Sequence, residues 1–360
     1  MRTAVVADVG WVNGLAAVRS LGRAGAPVVA IDHRRGALGF HSRYADARLC
    51  PDPVAEEHAY AAYLRALGDE LGAPAPLFPT HDEHLNAIAR NRDELGDRFL
   101  YPFPGWDVLG PVQSKRHQVE RARELGIPAP ETRDEPTDEL GYPVLVKPSD
   151  PTGFRRAFRR QAFRCADRAE LDHAFERARP YDPLVQELVP GGDDALYTLG
   201  SYLSRDGEAL AVFSGRKLRQ TPAAVGTCRV GEAVWVDAVV EQGLALLRGL
   251  GFHGLSQVEF KRDPRDGAFK LIEVNPRLFQ WHGLAAACGV DLTKVAYYDL
   301  LGTPPPPVRS NGTSKRWAIT LMRGTRPALV RPPYVDAVLA LDDPRPAVAQ
   351  VAGLVRRRRT

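Results

Sequence analysis

The stretch that most narrows the fold of this 360-residue chain is a pair of alternating segments, LSQVEFK at 255–261 and FKLIEVN at 269–275. Between them lies Asp263-Pro264-Arg265-Asp266-Gly267, a composition that reverses a chain because Pro fixes φ, Gly tolerates positive φ and Asp bonds its own backbone. Successive side chains of a strand project to opposite faces, so the spacing predicts a two-stranded hairpin. An odd loop pairs positions of equal parity and directs Val258, Phe260, Ile272 and Val274 towards a core. The opposite face then gathers Gln257, Glu259, Lys261, Glu273 and Asn275.

Carboxylates that face one another across strands repel unless a cation compensates them. Oxygen donors grouped in this way suit Mg2+, which takes one or two carboxylates and completes its shell with water and phosphate oxygens. A solvated strand face on which Lys261 neutralises one glutamate accounts for the same pattern. Arg277 follows two residues after Asn275, and its forked guanidinium suits a phosphate or carboxylate. Neutralising Glu259 or Glu273 is its alternative use.

Lysines elsewhere fit an anionic ligand. Lys147 closes the apolar run at 142–146, and a lysine in a buried strand needs an anion nearby or loses its charge. Lys115 falls in the first turn of a helix that begins after Ser114, where a cation opposes the helix dipole; a local anion or plain surface exposure explains it equally. Arg155, Arg156, Arg159 and Arg160 follow a Pro-Thr-Gly turn, and the reading here is a mobile hairpin able to close over phosphates, or a solvated basic segment. Lys217 and Arg219 alternate at a strand end and are expected to point the same way.

The first hundred residues alternate strand and helix periods: strands at 4–9, 28–32, 77–79 and 99–102, helices at 14–24, 56–71 and 82–95. That order predicts an open parallel α/β sheet. Gly10, Gly14 and Asp32 imitate a dinucleotide site, but the G-x-G-x-x-G spacing is absent, so the expectation is a tight turn without cofactor. Asp82 reads as a helix cap. From residue 114 onwards strands predominate, with helices near 168–178 and 236–250, giving an α+β region. The Pro304 to Pro307 run sets off a last segment, taken as an appendage ending in Arg356 to Arg359.

Forty-eight basic against 44 acidic residues give a net charge of +4, too even for a nucleic-acid partner. No apolar run is long enough for a transmembrane segment and no signal-peptide pattern opens the chain, so a cytoplasmic protein is expected. The four cysteines show no CxxC pair and read as incidental or buried thiols.

Taken in order, Lys115, Lys147, Gln186-Glu187-Leu188-Val189-Pro190-Gly191, Arg216 to Gln220, Glu259 and Glu273 to Arg277 resemble the ATP-grasp enzymes. The chain is similar to their carboxylate-amine ligase branch that includes D-aspartate ligase. The resemblance implies a pre-ATP-grasp α/β domain at 1–110, an ATP-grasp domain of two α+β subdomains at 111–305 and a C-terminal segment at 306–360. It implies ATP and Mg2+ as cofactors, with Lys115 and Lys147 on phosphates, Gln186, Glu187 and the Val189 backbone around adenine, and Asp194 near the ribose. Glu259, Glu273 and Asn275 match the magnesium ligands, and Arg277, with Lys217 and Arg219, the groups that steady the transferred phosphoryl. The implied partners are a small-molecule carboxylate and an amine, amino acid or peptide among them, joined through an acyl phosphate, with a homodimer left open. Three rivals remain: an ATP-grasp carboxylase or carboxylate kinase, a catalytically silent nucleotide-binding protein, and an NAD-dependent oxidoreductase on the N-terminal sheet.

Overall fold

A computed structural model describes residues 1–149, 151–222, 226–310, 312–321, 325, 329–330 and 333–356, except the side chains of residues 152, 355 and 356. Of the Arg356 to Arg359 run, the last three residues and the Arg356 side chain therefore lie outside the described residues.

The N-terminal unit is a parallel sheet in the spatial order Ala45–Leu49, Val28–Asp32, Ala4–Ala7, Ala75–Pro79, Phe99–Leu100. Ala4–Ala7 sits at the centre and is fully buried, as an apolar strand covered by helices on both faces must be. The turn into the helix Val12–Arg23 is tight: a Cβ on Gly14 would lie 2.4 Å from the Asp8 carbonyl oxygen. Asp32 is held by Arg34, which donates to it from Nε at 2.9 Å and Nη2 at 3.1 Å.

A small antiparallel sheet follows, ordered Thr132–Arg133, Pro183–Glu187, Val144–Pro148, Phe163–Cys165. It has its own core, built from Val144, Val146, Phe163 and Val185 against Leu171 and Phe175 of the helix Arg168–Ala178. The basic segment expected as a hairpin is instead the helix Pro151–Phe158. Phe154 and Phe158, four residues apart, lie on one helical face with their tilted rings 4.7 Å apart between centroids, which anchors the helix on that core.

The large sheet runs Phe269–Asn275, Gly254–Arg262, Leu196–Leu203, Ala209–Thr221, Thr227–Ala233, Arg316–Ala318, Tyr334–Asp336. The C-terminal segment is therefore no appendage. Val308–Arg309 pairs in parallel with Ala211 and Val212, Arg316–Ala318 pairs with Val230 to Glu232, and no break in the sheet falls at residue 305. Buried Arg19 of the first helix reaches Asp343 at 2.9 Å, tying this segment to the N-terminal unit.

The predicted hairpin forms, with one departure. Gln257, Val258 and Glu259 face Asn275, Val274 and Glu273, but a bulge follows and Phe260 faces Leu271. One extra residue shifts the alternation, so Leu271 enters the core while Ile272 lines a cleft. Asp82 is likewise not a cap: it is the first residue of the helix Asp82–Arg90 behind His81.

Candidate active site

A cleft of about 430 Å³ opens between the small and large sheets and is closed at one end by Trp11, Asn13 and His81 of the N-terminal unit. That volume suits a ligand of nucleotide size. The hairpin supplies its floor. Glu259 and Glu273 stand directly opposite each other in the strand register, with Asn275 and Gln257 as the next facing pair.

Each glutamate is compensated by a lysine from a different element. Lys217, midway along Ala209–Thr221, approaches Glu259 at 2.7 Å, with both side chains more than nine-tenths buried. Lys115, at the start of the helix Lys115–Glu124, reaches Glu273 at 2.8 Å. Burial by itself would push the Glu273 carboxyl up, but the charge and hydrogen bond of Lys115, with Asn275 and Lys217 in support, hold it well below the usual carboxylate range. Burial would lower the Lys217 ammonium, and the Glu259 charge reverses this and raises it. Lys261 does not serve the alternative considered for it, neutralising one of these glutamates: its ammonium donates to the Val189 carbonyl at 2.8 Å.

Lys147 differs from the other two. It lies on the facing small sheet in Val144–Pro148 and lines the cleft, and among the described residues no group accepts a hydrogen bond or ion pair from it. Burial and the Lys115 charge lower its ammonium to about 8. A half-desolvated cation without a partner is a ready seat for an anion.

Farther along the same wall, Gln186, Glu187, Leu188 and Val189 line the cleft. Gln186 donates from Nε2 to Thr132 Oγ1 at 3.1 Å, while its buried Oε1 has no partner. Glu187 is engaged by Lys270 at 2.5 Å and by Arg265 at 3.4 Å. At the other end, Arg277 lines the cleft and is gripped by Asp82, Nε to Oδ1 at 2.5 Å and Nη2 to Oδ2 at 3.1 Å. Its ion-pair partner is thus neither Glu259 nor Glu273.

Ten of the twelve residues singled out from the sequence line this one cleft: Lys115, Lys147, Gln186, Glu187, Val189, Lys217, Glu259, Glu273, Asn275 and Arg277. Two do not. A bulge after Lys217 shifts the register, so that Gln220 rather than Arg219 joins Lys217 on the cleft wall; Arg219 pairs with Asp193 at 3.7 Å. Asp194 is exposed on the short turn Asp193–Ala195, away from the lining. Sequence reasoning missed Trp11, Asn13, Gln220, Cys228, Gln280 and Trp281 as lining residues. Gln220 carried a signal as the end of the Arg216 to Gln220 segment, and Gln280 and Trp281 carried one by following Arg277 within four residues; Trp11, Asn13 and Cys228 reach the cleft through tertiary packing.

Residues 233–299 match the family model for the carbamoyl-phosphate synthase L chain, ATP binding domain. D-aspartate ligase of Enterococcus faecium is 24% identical over 259 residues, which is 66% of this chain and 62% of that one, so the chain spans about three-fifths of the relative's length. Among solved structures, biotin carboxylase from Campylobacter jejuni in its β,γ-ATP complex superposes with a TM-score of 0.67 at 16% identity, covering 84% of this chain and 72% of that one. L-amino acid ligase from Bacillus licheniformis gives 0.62 at 17% identity, covering 85% and 75%. The parallel sheet, the two further sheets and the cleft between them thus make up an ATP-grasp fold, within which residues 233–299 carry the match to that family model.

Proposed function

We propose that the cleft binds ATP with Mg2+ and that the protein uses it to join a carboxylate to an amine. One observation carries this reading. Two facing carboxylates, each neutralised by a lysine from another element, lie in the same cleft as a third lysine that has no anion of its own.

The donor set fits the metal. Glu259, Glu273 and Asn275 would hold it, and among the described residues no three His, Cys, Asp or Glu side chains converge into a complete protein cage. A cation held there would take its remaining ligands from phosphate oxygens and water, which is the preference of Mg2+. When bound, it neutralises charge on the phosphate oxygens. Lys115 and Lys147 hold the phosphates, and Gln186, Glu187 and the Val189 backbone flank the base. A carboxylate oxygen of the substrate attacks the γ-phosphorus and the bond to the β,γ-bridging oxygen breaks, leaving ADP and an acyl phosphate. The amine nitrogen then attacks the acyl carbon, phosphate departs and the nitrogen loses a proton. Lys217 and Arg277 absorb the charge that moves with the phosphoryl group, so the protein works by position and electrostatics rather than by a covalent nucleophile. A cytoplasmic location suits such ATP use, and among the described residues no helix is long and apolar enough to cross a membrane.

The test is an ADP-release screen of amino acids, dipeptides and amines, singly and in pairs, with Glu273→Gln as control. Release that needs both a carboxylate and an amine and vanishes in the variant supports ligation; activity untouched by the substitution refutes the metal assignment. The likeness to biotin carboxylase favours one second reading, a carboxylase, which would show ADP release dependent on bicarbonate. A carboxylate kinase would release ADP with the acid alone.

A further inference from the structure

Asp82 contributes a carboxylate to this site from a different unit of the fold. It begins the helix Asp82–Arg90, whereas Arg277 follows the last strand of the hairpin. The two residues are 195 positions apart, yet they meet in a two-point ion pair whose members are each about 13–14% exposed. Burial would raise the Asp82 carboxyl, but Arg277 outweighs it, with His81 and Arg155 adding to the effect, so the group stays ionised far below its ordinary range.

What Arg277 would do without this partner can be read from its surroundings. Its Nη2 already lies 3.4 Å from Asn275 Oδ1, and the charges of Glu273 and Glu259 draw on it. A guanidinium freed from Asp82 would turn towards those acids, where it would compete with a metal ion for them and vacate the end of the cleft. A second arginine leans on the same carboxylate. Arg155, on the helix Pro151–Phe158 of the small-sheet unit, lies 3.9 Å from Asp82 and also lines the cleft, with its buried Nε unpartnered.

We infer that Asp82 is a positioning residue: it holds Arg277 at the cleft end, clear of the Glu259 and Glu273 carboxylates, and draws Arg155 to the same place, so that two guanidinium groups frame the transferred phosphate. This inference rests on the nucleotide reading given above. A two-point clamp fixes a planar guanidinium in both distance and orientation, which a single contact does not. Because Asp82 touches the phosphate only through the arginines, its loss weakens phosphate retention and spares the nucleotide end of the cleft.

Calorimetric titration of wild type, Asp82→Asn and Asp82→Glu with MgADP, and then of each MgADP-loaded protein with inorganic phosphate, tests this. MgADP affinity should match wild type in Asp82→Glu and fall by less than the phosphate affinity in Asp82→Asn, where the freed Arg277 competes with the metal. Phosphate affinity should fall about 10- to 100-fold in Asp82→Asn, the loss of one charge-assisted contact, and recover in large part in Asp82→Glu. A purely structural Asp82 would lower the melting temperature of both variants and leave phosphate affinity of the folded protein alone, which would overturn the inference. Wild type that takes MgADP but no phosphate would overturn it too, with the nucleotide site intact. Wild type that fails to bind MgADP would remove both this inference and the proposed function.

Discussion

Replacing Lys217 by Met isolates the electrostatics of the cleft floor. Its ammonium lies 2.7 Å and 2.9 Å from the two Glu259 oxygens, and both side chains are nearly solvent-free. At an effective dielectric of 20, charges at that separation attract by about 6 kcal/mol, a gross figure from which desolvation must be subtracted. Removing one member of such a buried pair costs about 3–5 kcal/mol, because the other charge is left uncompensated. A folded unit of this size shifts about 2–4 °C per kcal/mol, so Lys217→Met should melt about 6–20 °C below wild type. The paired substitution Lys217→Met with Glu259→Gln removes both charges together and should recover at least half of the loss. Scanning calorimetry on the four proteins of this cycle, at neutral pH without nucleotide, gives the coupling directly. If Lys217→Met melts with wild type, or the double variant is as unstable as the sum of the single ones, the pair does not carry the charge balance argued here.

Two further predictions follow from the cleft walls. The Lys147 ammonium, lowered to about 8 by burial and Lys115, is largely neutral above that pH in the free protein, whereas a bound polyphosphate favours its charged form. Binding of MgADP at pH 8.5 should therefore take up a proton, and affinity should decline as pH rises through about 8; calorimetry in buffers of different ionisation heat measures the uptake, which Lys147→Met should abolish. Gly231→Ala would place a Cβ 2.6 Å from the Trp281 ring, so that buried indole must move. The expected results are lower stability by about 1–3 kcal/mol and an altered tryptophan emission spectrum, and an unchanged spectrum would argue against that packing.

The parts of the fold legible in the sequence were those with a strong local period. The N-terminal alternation of apolar strand and amphipathic helix announced a parallel sheet, and the hairpin at 255–275 announced which acids would face each other. What was not legible depended on single-residue offsets and on distant partners. Ile272 and Arg219 were misplaced because β-bulges displace the alternation by one without a compositional mark. The segment 151–158 was misread because Pro-Thr-Gly suggests a turn, while the helix-forming cue, Phe154 and Phe158 one turn apart, matters only once the core they enter exists. Asp82 sat at a helix start, where an acid serves as a cap in its own right; nothing nearby pointed to an arginine 195 positions onward.

Joining Val308–Arg309 and Arg316–Ala318 to the large sheet, and Asp343 to Arg19, has a bearing on biosynthesis. Strand Thr227–Ala233 gains its outer neighbour only after some eighty further residues have been made, and Arg19 waits for a partner 324 positions downstream. During translation the nascent chain must therefore carry an open sheet margin for those eighty or so residues, and a buried-type arginine without its acid for most of its elongation. Shielding of that margin while the chain is still tethered to the ribosome becomes a requirement for yield, independent of how stable the finished molecule is.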